Sequence, residues 1–109
     1  MPYISFSTNV KIKDKDEFEK ELVSCVTAIP NKTTAVTMVE INDEVNMYFR
    51  DHSEPCAMVK TQVNKGTDLS TTKEYADKVI DVVSSMLGVE EDRIYVTVSE
   101  EEKWHLRKK

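Results

Sequence analysis

Apolar and polar residues alternate at the start of the chain, where Ile4 and Phe6 are each followed by a serine. Alternation with a period of two is typical of a strand that is buried on one face. A second run of this kind comes late in the chain, at Ile94, Val96 and Val98. We therefore predict a strand near each end of the sequence.

A helical period follows the first strand, over residues 15–28. Asp14 or Asp16 can cap the start of this helix, because a carboxylate accepts hydrogen bonds from the free N–H groups of the first turn. Pro30 and Asn31 end it. The predicted buried stripe has the spacing of one helix face and consists of Phe18, Leu22, Cys25, Val26 and Ile29.

A second helix is predicted to begin after Ser70 or Thr71, one of which would be its cap. Glu74 lies three residues beyond Thr71, as a capping box requires. Gly88 is a suitable C-terminal cap because glycine accepts a positive φ at little cost. The predicted buried stripe consists of Tyr75, Val79, Val82, Val83 and Met86.

Three further strands are predicted between the helices. Thr34–Ile41 has apolar residues on both faces, which is typical of a strand inside a sheet that is covered on both sides. Val45–Phe49 reads as a short strand, and Cys56–Val63 alternates well enough for another. The order is β-α-β-(β-β)-α-β, which predicts an α+β fold in which two βαβ units form one mixed sheet with two helices on one face.

Two helices can cover only one face of such a sheet. Tyr95, Thr97 and several apolar side chains of the central strands would lie on the other face. A large uncovered face indicates that something else covers it, and self-association is the simplest answer. Trp104 and Leu106 would form a brief extra strand or pack a tail onto the body.

Composition narrows the function classes. The 109 residues are 39% hydrophobic and 32% charged, which predicts one globular domain over residues 1–109. The net charge of −5 argues against a broad surface for nucleic acid or anionic membranes. Without a secretory signal or a membrane-spanning run, we expect a cytoplasmic protein, and release by a route that needs no signal stays open. Cys25 and Cys56 are expected to be buried, reduced thiols.

The first candidate catalytic group is the proline that follows the initiator methionine, Pro2 after Met1. If Met1 is removed, Pro2 begins the chain with a secondary amine that can take a proton. A desolvated amine beside a cation has a lowered pKa, and such an amine can be a general base at neutral pH. The alternative is that Pro2 only begins a strand, where it needs no ladder donor. His52 and His105 have no partners at ligand spacing, so no metal site is expected.

Several short motifs together resemble the tautomerase superfamily and, within it, the macrophage migration inhibitory factor and D-dopachrome tautomerase family. The resemblance covers about residues 1–98 and fades in the tail. The motifs that carry it are Met1-Pro2, Thr8-Asn9-Val10, Ser53-Glu54-Pro55-Cys56-Ala57 and Asp92-Arg93-Ile94-Tyr95-Val96.

The resemblance implies a homotrimer whose sheets form a central barrel, and keto–enol tautomerisation of α-keto acids such as phenylpyruvate without a cofactor. It implies that Pro2 is the base and that Lys32 binds the substrate carboxylate. Asn64 falls where the family has an apolar residue whose backbone amide contacts substrate. Tyr95 matches a pocket tyrosine that the neighbouring subunit supplies.

The chain also departs from the family pattern. Asn64 and Thr97 replace pocket residues, Val59 stands where a second cysteine would be, and the tail is short and charged. Two other functions therefore stay open. One is a protein-binding, cytokine-type role with weak or vestigial tautomerase activity, and the other is a small-molecule-binding module on a ferredoxin-like fold.

Overall fold

The structure is a computed structural model, and it describes residues 2–107. The prediction that Met1 is removed concerns a residue outside this range. The strands are β1 (Tyr3–Thr8), β2 (Met38–Asn42), β3 (Ala57–Asn64) and β4 (Ile94–Glu101). The helices are α1 (Lys15–Ser24) and α2 (Thr72–Leu87).

The four strands form one mixed sheet in the order β2-β1-β3-β4. β1 is parallel to β2 and antiparallel to β3, and β3 is parallel to β4. Both helices pack on the same face, since Phe18 of α1 contacts Phe6 of β1 and Tyr75 of α2 contacts Thr61 of β3. The predicted α+β fold with its helices on one face is confirmed.

The core lies between this face and the helices. Alternate strand residues point into it, so β1 shows a strict alternation of half-buried and buried positions. The rings of Phe6 and Phe18 lie 4.9 Å apart between their centroids. The largest buried side chains are those of Tyr75, Phe6, Phe18, Ile4, Leu22 and Ile29.

The helix ends agree with the sequence in part. Asp14 caps α1 by accepting a hydrogen bond from the Glu17 N–H at 3.1 Å. Gly88 ends α2 with φ 71°. Thr71 precedes α2 without a side-chain capping bond, so the predicted capping box does not form. The first helix tightens into a 3-10 turn at Cys25–Ala28, within the predicted span.

The second predicted strand is shorter and lies elsewhere than expected. Thr34–Val36 forms a 3-10 turn, and β2 begins only at Met38. β2 is also at the edge of the sheet within this chain, with Met38 67% exposed. The prediction that this strand lies inside the sheet is therefore wrong for the single chain. Apolar residues on both faces of a strand indicate that both faces are covered, but they do not show that the same chain provides the cover.

The predicted strand at Val45–Phe49 has no partner strand within residues 2–107. Phe49 makes one isolated bridge to His52, and residues 45–48 have no regular secondary structure, although the Val45 N–H donates to the Thr8 carbonyl at 3.1 Å. The predicted strand at Ile94, Val96 and Val98 forms as β4, which ends at Glu101.

The residues that follow β4 form no strand over the described range. Trp104 is half-buried, and Leu106 is 60% exposed. Of the two alternatives for this tail, the structure shows packing onto the body. Among residues 2–107, no helix has the length and apolar character needed to cross a membrane.

Candidate active site

Pro2 lies directly before β1 and is buried. Its carbonyl oxygen accepts a hydrogen bond of 3.0 Å from the backbone N–H of Met38. This bond extends the pairing of β1 with β2 and fixes the backbone of Pro2 at one end of the sheet. Pro2 lines a cavity of about 580 Å³.

One residue from each of three neighbouring strands contributes to a wall of this cavity. Tyr3 pairs with Met38 on one side and with Gln62 on the other, so the three side chains share the face that the helices leave uncovered. Trp104 and Leu106 of the tail line the same cavity. Apolar and polar groups therefore both face the space beside Pro2.

Tyr3 carries a polar interaction beside this cavity. Its hydroxyl donates a hydrogen bond to the Glu40 carboxylate on β2. This bond, together with some desolvation, raises the pKa of Tyr3 above its usual value. The phenol stays protonated at neutral pH and is available only as a neutral group.

Lys32 and Asn64 contact each other. The Nζ of Lys32 donates a hydrogen bond of 2.7 Å to Oδ1 of Asn64. Because Tyr3 pairs with Gln62, the same register places Pro2 opposite Val63, the residue before Asn64. The structure thus brings three of the four predicted site residues to one end of the sheet.

Tyr95 lies at the other end. It is the second residue of β4 and pairs with Met58, six residues before Asn64 on β3. At roughly 3.3 Å per residue the two ends are about 20 Å apart. Tyr95 is 58% exposed on the uncovered face. It cannot contact Pro2 of its own chain, so a shared site would have to be built from two chains.

Arg93 organises the end of the sheet where Tyr95 lies. The side chain is only 4% exposed. It donates hydrogen bonds of 2.9 Å to three backbone carbonyls, those of Phe49, Glu54 and Pro55. The guanidinium carbon also lies 5.3 Å from the centre of the Phe49 ring. Arg93 therefore fixes the loop over residues 49–55.

Asn9 joins the same loop from β1. Its Nδ2 donates to the carbonyls of Ser53 and Glu54, and its Oδ1 accepts from the N–H of Cys56. Asn9, Ser53–Cys56 and Arg93 belong to motifs that carried the family resemblance. The structure shows that these motifs hold the fold together far from Pro2.

Sequence reasoning missed Tyr3 and Gln62 as cavity residues. The only sequence signal for them is the strand alternation, because both occupy positions that alternate with buried residues. Both also lie near Pro2. Trp104 of the tail, which was also considered as a partial replacement for an aromatic residue that often caps the family's pocket, lines the cavity. The contact between Lys32 and Asn64 has no sequence signal, because the two residues are 32 positions apart.

Other chemistry finds little support in the described part of the chain. Residues 2–107 contain no group of three or more His, Cys, Asp or Glu side chains that could hold a metal ion. Cys25 and Cys56 are both free and buried, as predicted. Burial raises the pKa of Cys25 to about 11, so this thiol is unsuited to be a nucleophile at neutral pH.

The fold and the cavity define a class of small α+β proteins in which a proline at the start of the first strand lines a pocket at the sheet end. The sequence model of the macrophage migration inhibitory factor family matches residues 1–109. The chain belongs to this family, whose members lie within the tautomerase superfamily.

Solved structures of other family members have the same fold. The structure of MIF2 from Leishmania major has a TM-score of 0.87 at 17% identity, covering 97% of this chain and 93% of that one. A migration inhibitory factor homologue from Prochlorococcus marinus has a TM-score of 0.83 at 24% identity, covering 94% and 95%. The factor from Toxoplasma gondii gives 0.83 at 23% identity, covering 95% of each. No sequence among the curated proteins matches this chain.

Proposed function

We propose that this protein is a cofactor-independent keto–enol tautomerase that acts on α-keto acids of the phenylpyruvate type, with Pro2 as its general base once Met1 is removed. The observation that carries the proposal is the position of Pro2. It is buried and lines a cavity at one end of the sheet, and Lys32 contacts Asn64 at the same end without lining that cavity.

The reaction moves one proton and changes no oxidation state. The neutral nitrogen of Pro2 takes a proton from the carbon next to the keto group, which leaves a prolinium and an enolate. The Tyr95 hydroxyl, the Lys32 ammonium and a backbone amide are the candidate donors of a hydrogen bond that stabilises the enolate oxygen. The prolinium then returns its proton to that oxygen through solvent, which gives the enol and restores the free amine. The reverse sequence returns the keto form and the free amine.

Burial and charge suit Pro2 to this task. An α-amino group normally has a pKa of about 7.7–8.0. Burial of Pro2 disfavours the charged amine, and a nearby ammonium on Lys32 disfavours it further. Both effects favour a neutral base at neutral pH. Lys103, which lines the cavity, acts in the same direction, whereas the carboxylate of Glu101 in the same lining opposes them. The Lys32 ammonium can also pair with the substrate carboxylate, for which Asn64 provides a neighbouring backbone amide.

We also propose a homotrimer with sites shared between chains. Tyr95 is far from Pro2 of its own chain, and the sheet face that carries it is uncovered. Residues Val45–Tyr48 read as a strand but form no ladder in the described chain, where the Val45 N–H makes a single hydrogen bond of 3.1 Å to the Thr8 carbonyl. Tyr48 is 72% exposed. Such a segment is suited to pairing with an open edge of a neighbouring sheet, and β2 provides such an edge.

The test is the pH dependence of phenylpyruvate enol–keto exchange, on protein whose N-terminus is confirmed by intact mass. We expect the rate to rise through an apparent pKa below about 7.7, the usual value of a free α-amino group. The matched control carries one alanine inserted before Pro2, which makes the Pro2 nitrogen an amide, and it should be inactive. Correctly processed protein without activity on any enolisable α-keto acid would overturn the proposal and favour the protein-binding role.

A further inference from the structure

The contact between Lys32 and Asn64 joins two fixed backbones. Lys32 follows a turn in which its N–H donates to the Ile29 carbonyl at 3.2 Å, and Ile29 is 1% exposed. Asn31 has φ 64°, which holds this turn in a tight form. The Cα of Lys32 is therefore anchored to the core, and only its side chain is free to choose a direction.

Asn64 is held just as firmly. It ends β3 in register with Glu101 of β4. Its carbonyl accepts a hydrogen bond of 2.6 Å from Oγ1 of Thr67, which closes the turn after the strand. The side-chain carbonyl of Asn64 is thus a fixed point toward which the Lys32 ammonium can be directed.

The acceptor, Oδ1 of Asn64, is uncharged, so it does not neutralise the positive charge of the Lys32 ammonium. Lys65 and Lys73 instead pair with the carboxylates of Glu102 and Asp77, and each of those pairs has no net charge. An ammonium held by an amide oxygen keeps its full positive charge. It also has three N–H donors, so two remain after the bond to Asn64 Oδ1.

We propose that Asn64 is a positioning residue: its side-chain carbonyl holds the charged Lys32 ammonium at the sheet end beside Pro2, preorganised for an anionic carboxylate. This proposal rests on the proposed function for its biological meaning. An apolar residue at this position would leave the lysine to sample many rotamers. Ordering one such side chain on binding weakens affinity by about 3- to 10-fold.

Binding can be measured without turnover. The probe is 3-phenylpropanoate, an aromatic carboxylate that cannot enolise as a keto acid does, and the control ligand is the uncharged 3-phenylpropanamide. Asn64→Leu removes the acceptor at similar volume. Asn64→Asp keeps the acceptor but adds a charge that offsets the ammonium. Lys65→Ala is the matched control at the neighbouring residue. Dissociation constants are measured by calorimetry on variants whose fold is checked by circular dichroism.

We expect the carboxylate to bind about 3- to 10-fold more weakly to Asn64→Leu, and more weakly still to Asn64→Asp, with Lys65→Ala unchanged. Affinity for the amide should be the same in all four proteins. Equal carboxylate affinity in wild type and Asn64→Leu, equal losses for both ligands, or no carboxylate binding by wild type would each overturn the proposal.

The pH profile of exchange gives a second readout. If the ammonium is no longer held beside Pro2, the protonated amine is less disfavoured, and the apparent pKa of the base should rise in Asn64→Leu and further in Asn64→Asp. The two proposals fail separately. Ligand binding that follows the expected order in a protein without turnover would reject the tautomerase function and keep the role of Asn64.

Discussion

The ring of Tyr95 packs against the ring of Phe49 with 4.9 Å between their centroids, at the end of the sheet remote from Pro2. Phe49 is itself held by Arg93, which donates to its carbonyl. The position of Tyr95 is therefore set within its own chain, and under the proposed function the substrate it contacts would lie beside the Pro2 of another chain.

This arrangement predicts that two inactive variants restore activity when they are mixed. Pro2→Gly lacks the secondary amine that is the proposed base, and Tyr95→Ala lacks the aromatic side chain proposed to complete the neighbouring site. Each homotrimer should therefore catalyse the reaction poorly. In trimers reassembled from equal amounts, about a quarter of the sites would combine an intact Pro2 with an intact Tyr95 from the next chain. Exchange rates before and after joint unfolding and refolding test this. No gain on mixing, with mixed trimers confirmed by native mass spectrometry, would show that Tyr95 does not complete a neighbouring site.

Arg93→Met should destabilise the fold strongly. The substitution keeps an apolar stem but removes the donors for the carbonyls of Phe49, Glu54 and Pro55. Hydrogen bonds from a charged donor contribute about 1.5–3 kcal/mol each, and orphaned buried carbonyls add a penalty. We expect a loss of at least about 3 kcal/mol in the free energy of unfolding, measured with urea. Arg50→Met is the control, because Arg50 is exposed and its guanidinium lies over the ring of Phe49. Similar losses in both variants would contradict this role of Arg93.

The elements were largely predictable because their signals are local. The period of Phe18 and Leu22 and the alternation of Ile4 and Phe6 depend on neighbours in the sequence, and both elements form as predicted. The cap at Asp14 and the end at Gly88 are local signals of the same kind.

The errors have one physical cause. Met38 and Tyr48 look like strand residues that need burial, and the single chain leaves both exposed. Their pattern is set by a surface that the chain alone does not provide, so placing them requires the assembly. The site was predictable only in part for a similar reason. Pro2 could be recognised from its position, whereas the bond between Lys32 and Asn64 depends on how two turns meet in space.

A double-mutant cycle should isolate the buried hydrogen bond between Thr61 and Tyr75. The two hydroxyl oxygens are 2.6 Å apart, and both residues are almost fully buried. Tyr75→Phe or Thr61→Val alone leaves one hydroxyl without its partner, which costs about 1–3 kcal/mol. The double variant should cost less than the sum of the two, as coupled partners do. Strict additivity in urea unfolding would show that the hydroxyls do not act as a pair.

Alkaline pH should destabilise the protein through two buried acids. Burial raises the pKa of Cys25 from its ordinary value of 9.0 to about 11, and that of Tyr75 from 10.0 to about 12. Above pH 9 the unfolded chain therefore loses protons that the folded chain retains. The stabilising contribution is complete below pH 9 and is lost as pH rises through 11 and 12, by about 2 kcal/mol for each group. Urea unfolding at pH 8, 9.5 and 11 measures it. The slope should become shallower in Cys25→Ala and Tyr75→Phe, and an unchanged slope in both variants would assign the loss to other groups.

Substitutions at Pro2 and Lys32 should separate catalysis from binding. Pro2→Gly replaces the secondary amine with a primary, less constrained one, so we expect kcat to fall by about 10²-fold or more, as loss of a general base does, while the trimer persists. Lys32→Ala removes the cation that pairs with the carboxylate, so KM for phenylpyruvate should rise about 10-fold or more. The loss of its charge should also raise the apparent pKa of Pro2 and move the pH profile upward. Steady-state kinetics across pH, with oligomeric state from light scattering, measure both effects. A Pro2→Gly protein with an unchanged rate would show that the reaction does not need the secondary amine of Pro2.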